Sequence, residues 1–208
     1  MNSCLLCQDT SSIILELDPQ FYRCGNCGSV FRHPRYLPTP EAEKERYITH
    51  NNDVEDPGYQ NFVSPIIGAV CEYFPESSIG LDFGAGTGPV IAKLLEDKGY
   101  VIQLWDPFFH PNPEVLVQHY DFIVCCEVIE HFHTPIAEFQ LMKRLLKPGG
   151  KLFCMTHLLT KETSFADWYY KDDHTHVIFY SEENVHWIKE DIGFSEVTIE
   201  GRLVVFSN

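Results

Sequence analysis

The sequence predicts an α/β protein with a mostly parallel sheet, preceded by a small cysteine-rich module. After residue 40, strand-like and helix-like segments alternate, an order typical of βαβ units. A glycine-rich turn, LDFGAGTG at residues 81–88, joins the first apolar strand of this region to the following helix. Four cysteines in two close pairs fall within the first 27 residues.

The length of the chain limits the number of domains, and its net charge limits the kinds of partner it can bind. A chain of 208 residues holds one sizeable core and at most a small appendage. The net charge is −15, and the whole acidic excess lies after residue 40. Proteins that bind nucleic acids carry a basic stripe that neutralises phosphates, and no such stripe is visible. A nucleic-acid partner is therefore not expected, and the oligomeric state stays open.

The apolar segments and the cysteines indicate a compartment. No apolar run reaches the ~18–20 residues that a membrane span needs, and the first ten residues, MNSCLLCQDT, lack the basic region of a signal peptide. We expect a cytoplasmic protein with no membrane partner. In that reducing environment the eight cysteines should be thiols or metal ligands instead of disulfides.

Three regions can be distinguished along the chain. Residues 1–33 form the cysteine-rich module, with strand-like segments SIILELD, QFYRC and SVFRH. Residues 34–77 form a connector, interrupted by Pro34, Pro38 and Pro40, and two lead-in helices, EAEKERYITH and YQNFVSPIIGAVCEYF. Residues 78–208 form the large domain.

The elements of the large domain follow from apolar patterns and end signals. SIGLDFG, YVIQLWD, YDFIVCC and KLFCMTHL predict strands, and FSEVTIEGRLVVFS predicts a terminal hairpin. GPVIAKLLEDKG, TPIAEFQLMKRLLKPGG and SEENVHWIKEDIG predict helices. In the second of these, Thr134 suits the N-cap and Pro135 the first helical position. Its apolar stripe comprises Ile136, Phe139, Met142 and Leu146.

The four early cysteines have the spacing of a metal site. Cys4-x-x-Cys7 and Cys24-x-x-Cys27 are separated by sixteen residues. This pattern is typical of paired knuckles in which four thiolates surround one tetrahedral Zn²⁺. A site with four protein ligands is closed, so the zinc predicted here is structural and not catalytic.

The glycine-rich turn has the features of a nucleoside-binding loop. Asp82 ends the first strand, and Gly84, Gly86 and Gly88 allow close backbone approach before a helix N-terminus. Asp106 ends the second strand, 22 residues after Gly84, where a carboxylate can accept ribose hydroxyls. The spacing is not G-x-G-x-x-G, which disfavours a dinucleotide such as NAD.

The segments LDFGAGTG, LWD, YDFIVCCEVIEHF and LLKPGGKLF together resemble the successive motifs of class I S-adenosylmethionine-dependent methyltransferases. The resemblance is to the ubiquinone-biosynthesis-like group that carries an N-terminal zinc ribbon, here residues 1–33. It implies a doubly wound, Rossmann-like sheet of seven strands with a reversed last strand over residues 78–208. It also implies S-adenosylmethionine as cofactor and methyl transfer to oxygen, nitrogen or carbon of a small molecule.

The resemblance assigns the cofactor site residue by residue. The expected contacts are Asp82, Gly84, Ala85, Gly86, Gly88, Asp106, Pro107, Cys126 and Glu127. Tyr47 and Tyr59 on the lead-in helices are expected to cover the methionine end. Only fourteen residues separate Asp106 from Asp121, where the family has a helix and a third strand, so the adenine contacts stay unassigned.

The stretch EVIEHFH contains the candidate catalytic residues. On a helical turn Glu127, Glu130 and His131 share one face. One interpretation is a Mg²⁺ site, as the resemblance to metal-using relatives implies, with a further ligand from His174 or His176. A second has His131 as general base, and a third has these groups supporting the cofactor loop. The catalytic candidates are His131, Glu127, Glu130 and His174.

The aromatic stretch FADWYYKDDHTHVIFYSEEN also has two interpretations. It either covers the acceptor side of the site or belongs to the core. His157, at the end of a predicted strand, would face the site if strand ends line it.

A rival function is a zinc-ribbon adaptor protein whose methyltransferase-like domain binds cofactor without catalysis.

Overall fold

The structure, a computed structural model, describes residues 3–10, 12–15, 17, 19–49 and 53–208. Glu16 and Asp18 of the first predicted strand and His50 of the first predicted helix lie outside these residues. The strands are β1 (Ser12–Leu15), β2 (Phe21–Cys24), β3 (Val30–Arg32), β4 (Ile79–Phe83), β5 (Val101–Trp105), β6 (Tyr120–Cys126), β7 (Leu146–Met155), β8 (Ile178–Phe179), β9 (Glu196–Glu200) and β10 (Leu203–Ser207). The α-helices are α1 (Pro40–Ile48), α2 (Pro57–Tyr73), α3 (Val90–Glu96), α4 (Pro135–Leu145) and α5 (Glu182–Ile192).

The large domain is built on a mixed sheet in the order β5-β4-β6-β7-β10-β9. The first four strands are parallel, and β10 runs antiparallel to both β7 and β9, so the predicted reversed strand is present. Helices α2 and α3 cover one face and α4 and α5 the other. Alternate residues of β6 serve these two faces, with Phe122 and Val124 in one core and Ile123 and Cys125 in the other. The sheet is therefore doubly wound, as predicted.

The prediction of seven strands is wrong by one strand among the described residues. Where the third strand of the expected fold would lie, the chain makes a single bridge between Asp106 and His110 and then a 3₁₀ helix over Pro113–Val117. Pro107, Pro111 and Pro113 have no N–H to give to a sheet ladder, which leaves the outer edge of β5 without a partner strand there.

The helix ends largely follow the sequence signals. Ser181 and Asn184 form a capping box at the start of α5, and Gly193 ends it in the left-handed conformation. Helix α4 begins at Pro135 as predicted, but it ends at Leu145. Leu146, predicted to belong to its apolar stripe, instead begins β7, where it remains buried.

The cysteine-rich module is joined to the large domain through its sheet. Strands β1, β2 and β3 form an antiparallel sheet whose fourth strand is β8, at Ile178–Phe179. The sheet thus crosses from predicted region 1–33 into predicted region 78–208. No helix of the described residues is both long and apolar enough to cross a membrane.

Candidate functional site

One cavity of about 1000 Å³ lies at the carboxyl edge of the parallel strands. All nine residues predicted to contact the cofactor line it: Asp82, Gly84, Ala85, Gly86, Gly88, Asp106, Pro107, Cys126 and Glu127. Tyr47 of α1 and Tyr59 of α2 line it as well. The strand order therefore brings together residues that are far apart in the sequence, because β4, β5 and β6 are neighbours that end at the same edge.

The glycine loop after β4 needs its glycines for two reasons. Gly84 and Gly86 have φ of 86° and 61°, a left-handed conformation that L side chains rarely adopt. A Cβ atom on Gly84 would also lie 2.4 Å from Cγ2 of Val128. The loop after β4 thus packs directly on the loop after β6, which carries Glu127.

Asp106 holds the same loop in place. Its Oδ2 accepts a hydrogen bond from Gly86 N at 3.0 Å, and its Oδ1 accepts from Phe108 N at 2.8 Å and Phe109 N at 3.0 Å. A carboxylate offers about four acceptor positions, so one remains, on Oδ2. In this arrangement Asp106 has room for one further donor, such as one ribose hydroxyl.

Asp82 is a buried acid in the cavity wall. Burial, together with the nearby charge of Asp106, raises its pKa to about 7, although a hydrogen bond from the backbone of Ala92 opposes the shift. Since burial disfavours the charged form of Asp82, a cationic ligand close by would favour its ionisation.

Glu127 combines backbone strain with a charged partner. Its φ is 51°, unusual for a residue other than glycine. Its Oε2 accepts from Arg202 Nη2 at 2.7 Å, while Glu127 Oε1 and Arg202 Nε are buried without a hydrogen-bond partner. Burial, followed by the charge of Glu130, raises the pKa of Glu127 to about 8, and Arg202 opposes the shift. Strained, partly satisfied residues of this kind cluster at functional sites.

Sequence reasoning missed Arg202. It lies in the turn of the terminal hairpin, between β9 and β10, and lines the cavity. The available signal was a lone basic residue after Gly201 in an acidic segment, which by itself does not indicate a site.

Glu130, predicted as catalytic, does not line the cavity. It is fully buried, its Oε1 accepts from the Tyr170 hydroxyl at 2.5 Å, and its Oε2 accepts from Thr156 Oγ1 at 3.1 Å. The Tyr170 oxygen is also 3.3 Å from Glu127 Oε2, but its single proton serves the shorter bond. Glu130 thus lies behind the cavity wall and supports it.

His131 faces the cavity with a defined tautomer. Its Nδ1 is 2.8 Å from the carbonyl oxygen of Thr175. A carbonyl only accepts, so Nδ1 carries the proton, and the neutral ring keeps a lone pair on Nε2. The ring lies edge-on to Tyr47, with centroids 5.2 Å apart, and to His176, with centroids 4.8 Å apart.

Of the two further candidates, His176 and not His174 contacts His131. The Nδ1 of His176 donates to the carbonyl of Tyr170 at 2.7 Å, and burial lowers the pKa of His176. His174 lines the cavity without such a contact. Among the described residues, the carboxylate and imidazole group with metal-ligand spacing is Glu130, His131 and His176. Glu127 is not part of it, so the predicted trio of Glu127, Glu130 and His131 is not assembled.

The four early cysteines converge as predicted. Their Sγ atoms all lie within 4.8 Å of one another, with 3.6 Å between Cys4 and Cys27 and 3.4 Å between Cys7 and Cys24. Four thiolates at 2.3 Å from one tetrahedral zinc are about 3.8 Å apart. The cluster has dimensions that suit such an ion.

The aromatic stretch is divided between the core and the cavity wall. Phe165, Trp168 and Phe179 are buried in a cluster with Phe21 and Val30 of the cysteine-rich module. From the same stretch, Tyr169, Tyr170, Asp172, Asp173, His174 and His176 line the cavity. His157 is not among the lining residues; its Nδ1 contacts the Tyr169 hydroxyl at 3.2 Å.

Helix α1 closes the cavity through contacts that sequence reasoning missed. Arg46 donates to Asp173 Oδ2 from Nη2 at 2.7 Å and from Nε at 3.0 Å. Glu43 contacts His133, with 2.9 Å between Oε1 and Nε2.

Comparison with known proteins agrees with the fold. The family described as methyltransferase domain matches residues 58–199. A ubiquinone biosynthesis O-methyltransferase from Dinoroseobacter shibae is 35% identical over 91 residues, which are 42% of this chain and 35% of that protein. The chain therefore matches only about a third of that relative's length.

Two solved structures share the fold at low identity. An O-methyltransferase family protein from Burkholderia thailandensis has a TM-score of 0.56 at 14% identity, over 79% of this chain and 61% of its own. Human N-acetylserotonin methyltransferase in complex with SAM has a TM-score of 0.52 at 15% identity, over 72% of this chain and 53% of its own.

The raised pKa of Asp82 predicts an effect on stability. Its pKa is higher in the folded than in the unfolded protein, so the folded state binds more protons between about pH 4 and 7. The contribution of Asp82 to the free energy of unfolding therefore falls across this range and stays low above it. Asp82→Asn should raise Tm relative to the wild type at pH 8 more than at pH 5. Glu190→Gln, on the exposed face of α5, is the control. An equal Tm difference at both pH values would contradict the assigned shift.

Proposed function

The chain belongs to the methyltransferase domain family, and on that premise we propose that it is an S-adenosylmethionine-dependent methyltransferase with a small-molecule acceptor. The observation that carries this proposal is the convergence of the glycine loop, Asp106 and the loop after β6 on one cavity. Its volume, about 1000 Å³, is at the upper end of small-molecule sites and suits a cofactor together with an acceptor.

The residues present fit this cofactor. The left-handed glycines allow the backbone to approach it closely, and the open position on Asp106 Oδ2 suits a ribose hydroxyl. S-adenosylmethionine carries the transferable methyl group on a positively charged sulfur. Asp82 and Asp106 lie in the cavity wall, and a positive charge close to Asp82 would favour its ionised form.

His131 is the residue that we assign as general base. The Thr175 carbonyl holds its Nε2 unprotonated in the neutral ring, and the ring lines the cavity. A hydroxyl must lose a proton when it is methylated, and an imidazole takes it in the useful pH range. This favours oxygen among the three possible acceptor atoms, as does the likeness to an O-methyltransferase. Most of the rate enhancement would come from alignment of acceptor and methyl group.

The metal assignments are separate. We propose that Cys4, Cys7, Cys24 and Cys27 hold a structural Zn²⁺. A second ion at Glu130, His131 and His176 is the weaker proposal. Two imidazoles suit zinc or another transition metal better than Mg²⁺, which prefers oxygen ligands, and both oxygens of Glu130 already accept hydroxyl protons.

The rival function, an adaptor protein without catalysis, gains no support from the site. A protein without catalysis would not need the glycine loop, Asp106 and His131 to line one cavity together.

Cofactor binding tests the proposal first. Calorimetry should show micromolar affinity for S-adenosylhomocysteine, the demethylated cofactor. Gly86→Asp should abolish binding because it places a charged side chain at a left-handed position of the loop. Asp106→Ala should do the same because it removes both the ribose contact and the loop's anchor. Glu190→Gln should bind normally. Unchanged binding in both loop variants would refute the cofactor assignment.

The role of His131 can be tested with a labelled methyl group. Wild-type protein and S-adenosylmethionine should be incubated with a panel of phenols, aliphatic alcohols and amines. For any acceptor found, His131→Gln should lower kcat by ~10²–10⁴-fold, the usual value of a general base, and leave the KM for the cofactor unchanged. A kcat equal to that of the wild type would remove His131 from the mechanism.

Elemental analysis separates the two metal sites. We expect zinc in the wild type and its loss in Cys24→Ser, because a closed site depends on all four thiolates. Titration of the zinc-loaded protein with Mg²⁺ or Mn²⁺ should give no heat. A binding signal that disappears in His176→Gln would instead establish a second metal.

A further inference from the structure

Strand β3 of the cysteine-rich module carries Arg32, a cation that is only 3% exposed. Its Nε donates to the carbonyl of His176 at 3.1 Å. Its Nη2 donates to the carbonyls of Lys171 at 3.0 Å and Asp173 at 2.9 Å. All three acceptors are backbone atoms of one short segment, residues 171–176. Burying a charge is costly unless it is well hydrogen-bonded, and bonds from a charged donor are the strong ones.

Backbone hydrogen bonds extend the same connection into the cavity wall. Arg32 N donates to the carbonyl of Val177 at 2.8 Å, and Val177 N donates to the carbonyl of Glu130 at 2.9 Å. Phe31 pairs with Ile178 in the ladder between β3 and β8. Only two hydrogen bonds thus separate Arg32 of the cysteine-rich module from the turn that carries His131.

The segment held by Arg32 contains or adjoins the carbonyls that fix the tautomers of His131 and His176. The carbonyl of Thr175 accepts from Nδ1 of His131, and the carbonyl of Tyr170 accepts from Nδ1 of His176. Within the segment, Asp173 Oδ1 accepts from the N and Oγ1 of Thr175. A shift of residues 170–176 would therefore remove the acceptors that fix both tautomers. The guanidinium hydrogen bonds of Arg32 go to residues 171–176 and not to the glycine loop.

The other end of the module is anchored as well. Asn184 of α5 donates to the carbonyl of Cys27, and Cys24 N donates to the carbonyl of Ser29, in the turn that joins β2 to β3. The position of β3 relative to the cavity thus depends on the cysteine cluster at one end and on Arg32 at the other.

We propose that Arg32 is a positioning residue for the acceptor side of the site: through the carbonyls of residues 171–176 it holds His131 and His176 in the tautomers that leave Nε2 unprotonated. The cysteine-rich module then supports one wall of the methyltransferase site from behind, although none of its described residues lines the cavity. The mechanistic meaning of this role rests on the function proposed above, but the geometry itself does not.

Histidine NMR tests this directly, because the tautomers of His131 and His176 are visible in long-range ¹H–¹⁵N spectra of the labelled full-length protein. In the wild type both rings should be protonated on Nδ1. In Arg32→Met they should become mixtures of tautomers, and amide exchange of residues 171–177 should accelerate about tenfold or more, the loss expected for hydrogen bonds to a charged group. Affinity for S-adenosylhomocysteine should not change.

Arg23→Met is the matched control, since Arg23 lies on neighbouring β2, is exposed and, among the described residues, donates to the carbonyl of Gly28 at 3.4 Å. If Arg32→Met does not fold, Arg32→Lys replaces it; one ammonium group cannot reproduce the fork, so the same changes should occur to a smaller extent. Wild-type tautomers and exchange rates in the folded variant would overturn the proposal. Failure of the wild type to bind S-adenosylhomocysteine would count against the proposed function alone, because the NMR measurement needs no cofactor.

Discussion

The side of the cavity that we assign to the acceptor depends on one fully buried carboxylate, Glu130. A carboxylate in this position is tolerated only if hydrogen bonds replace its hydration. Tyr170 of the aromatic stretch and Thr156, the residue after β7, donate these hydrogen bonds. The carbonyl of Glu130 also accepts from the N–H of Val177, just before β8, the strand that pairs with β3 of the cysteine-rich module. Three segments are thus held at one point, and His131 follows directly on it.

The two sides of the cavity are built by different means. The cofactor side is made mainly by backbone: left-handed glycines, strand ends and the amides that Asp106 accepts. The side that we assign to the acceptor is made by side chains of distant segments, including Arg46 of α1 and the histidines beside β8. A backbone site suits a ligand shared by many enzymes, whereas a side-chain site can be altered without disturbing the fold. This division agrees with a methyltransferase whose cofactor is easier to infer than its acceptor.

Much of the fold could be predicted because its signals are local. The capping box at Ser181, the glycine after α5 and the alternation in β6 each report on neighbouring residues. The predictions that failed concern competition between elements. The strand expected after Asp106 is absent because prolines remove its donors, and Leu146 begins β7 although its spacing also fits α4. The spacing of Glu127 and Glu130 predicts that both lie on the same face of a helical turn. Only the structure shows that Glu127 lines the cavity and that Glu130 lies behind its wall.

The sequence by itself determined the glycine loop, the acid at the end of β5 and the four-cysteine cluster. Each is a short motif whose residue types are required by backbone geometry or by coordination chemistry. Only the tertiary structure decided that His176 and not His174 lies beside His131, that Arg202 pairs with Glu127, and that Arg32 holds the acceptor wall. Arg32 and His176 are 144 positions apart. Such a contact has no sequence period or spacing, because it exists only after two sheets have formed and β8 has paired with β3.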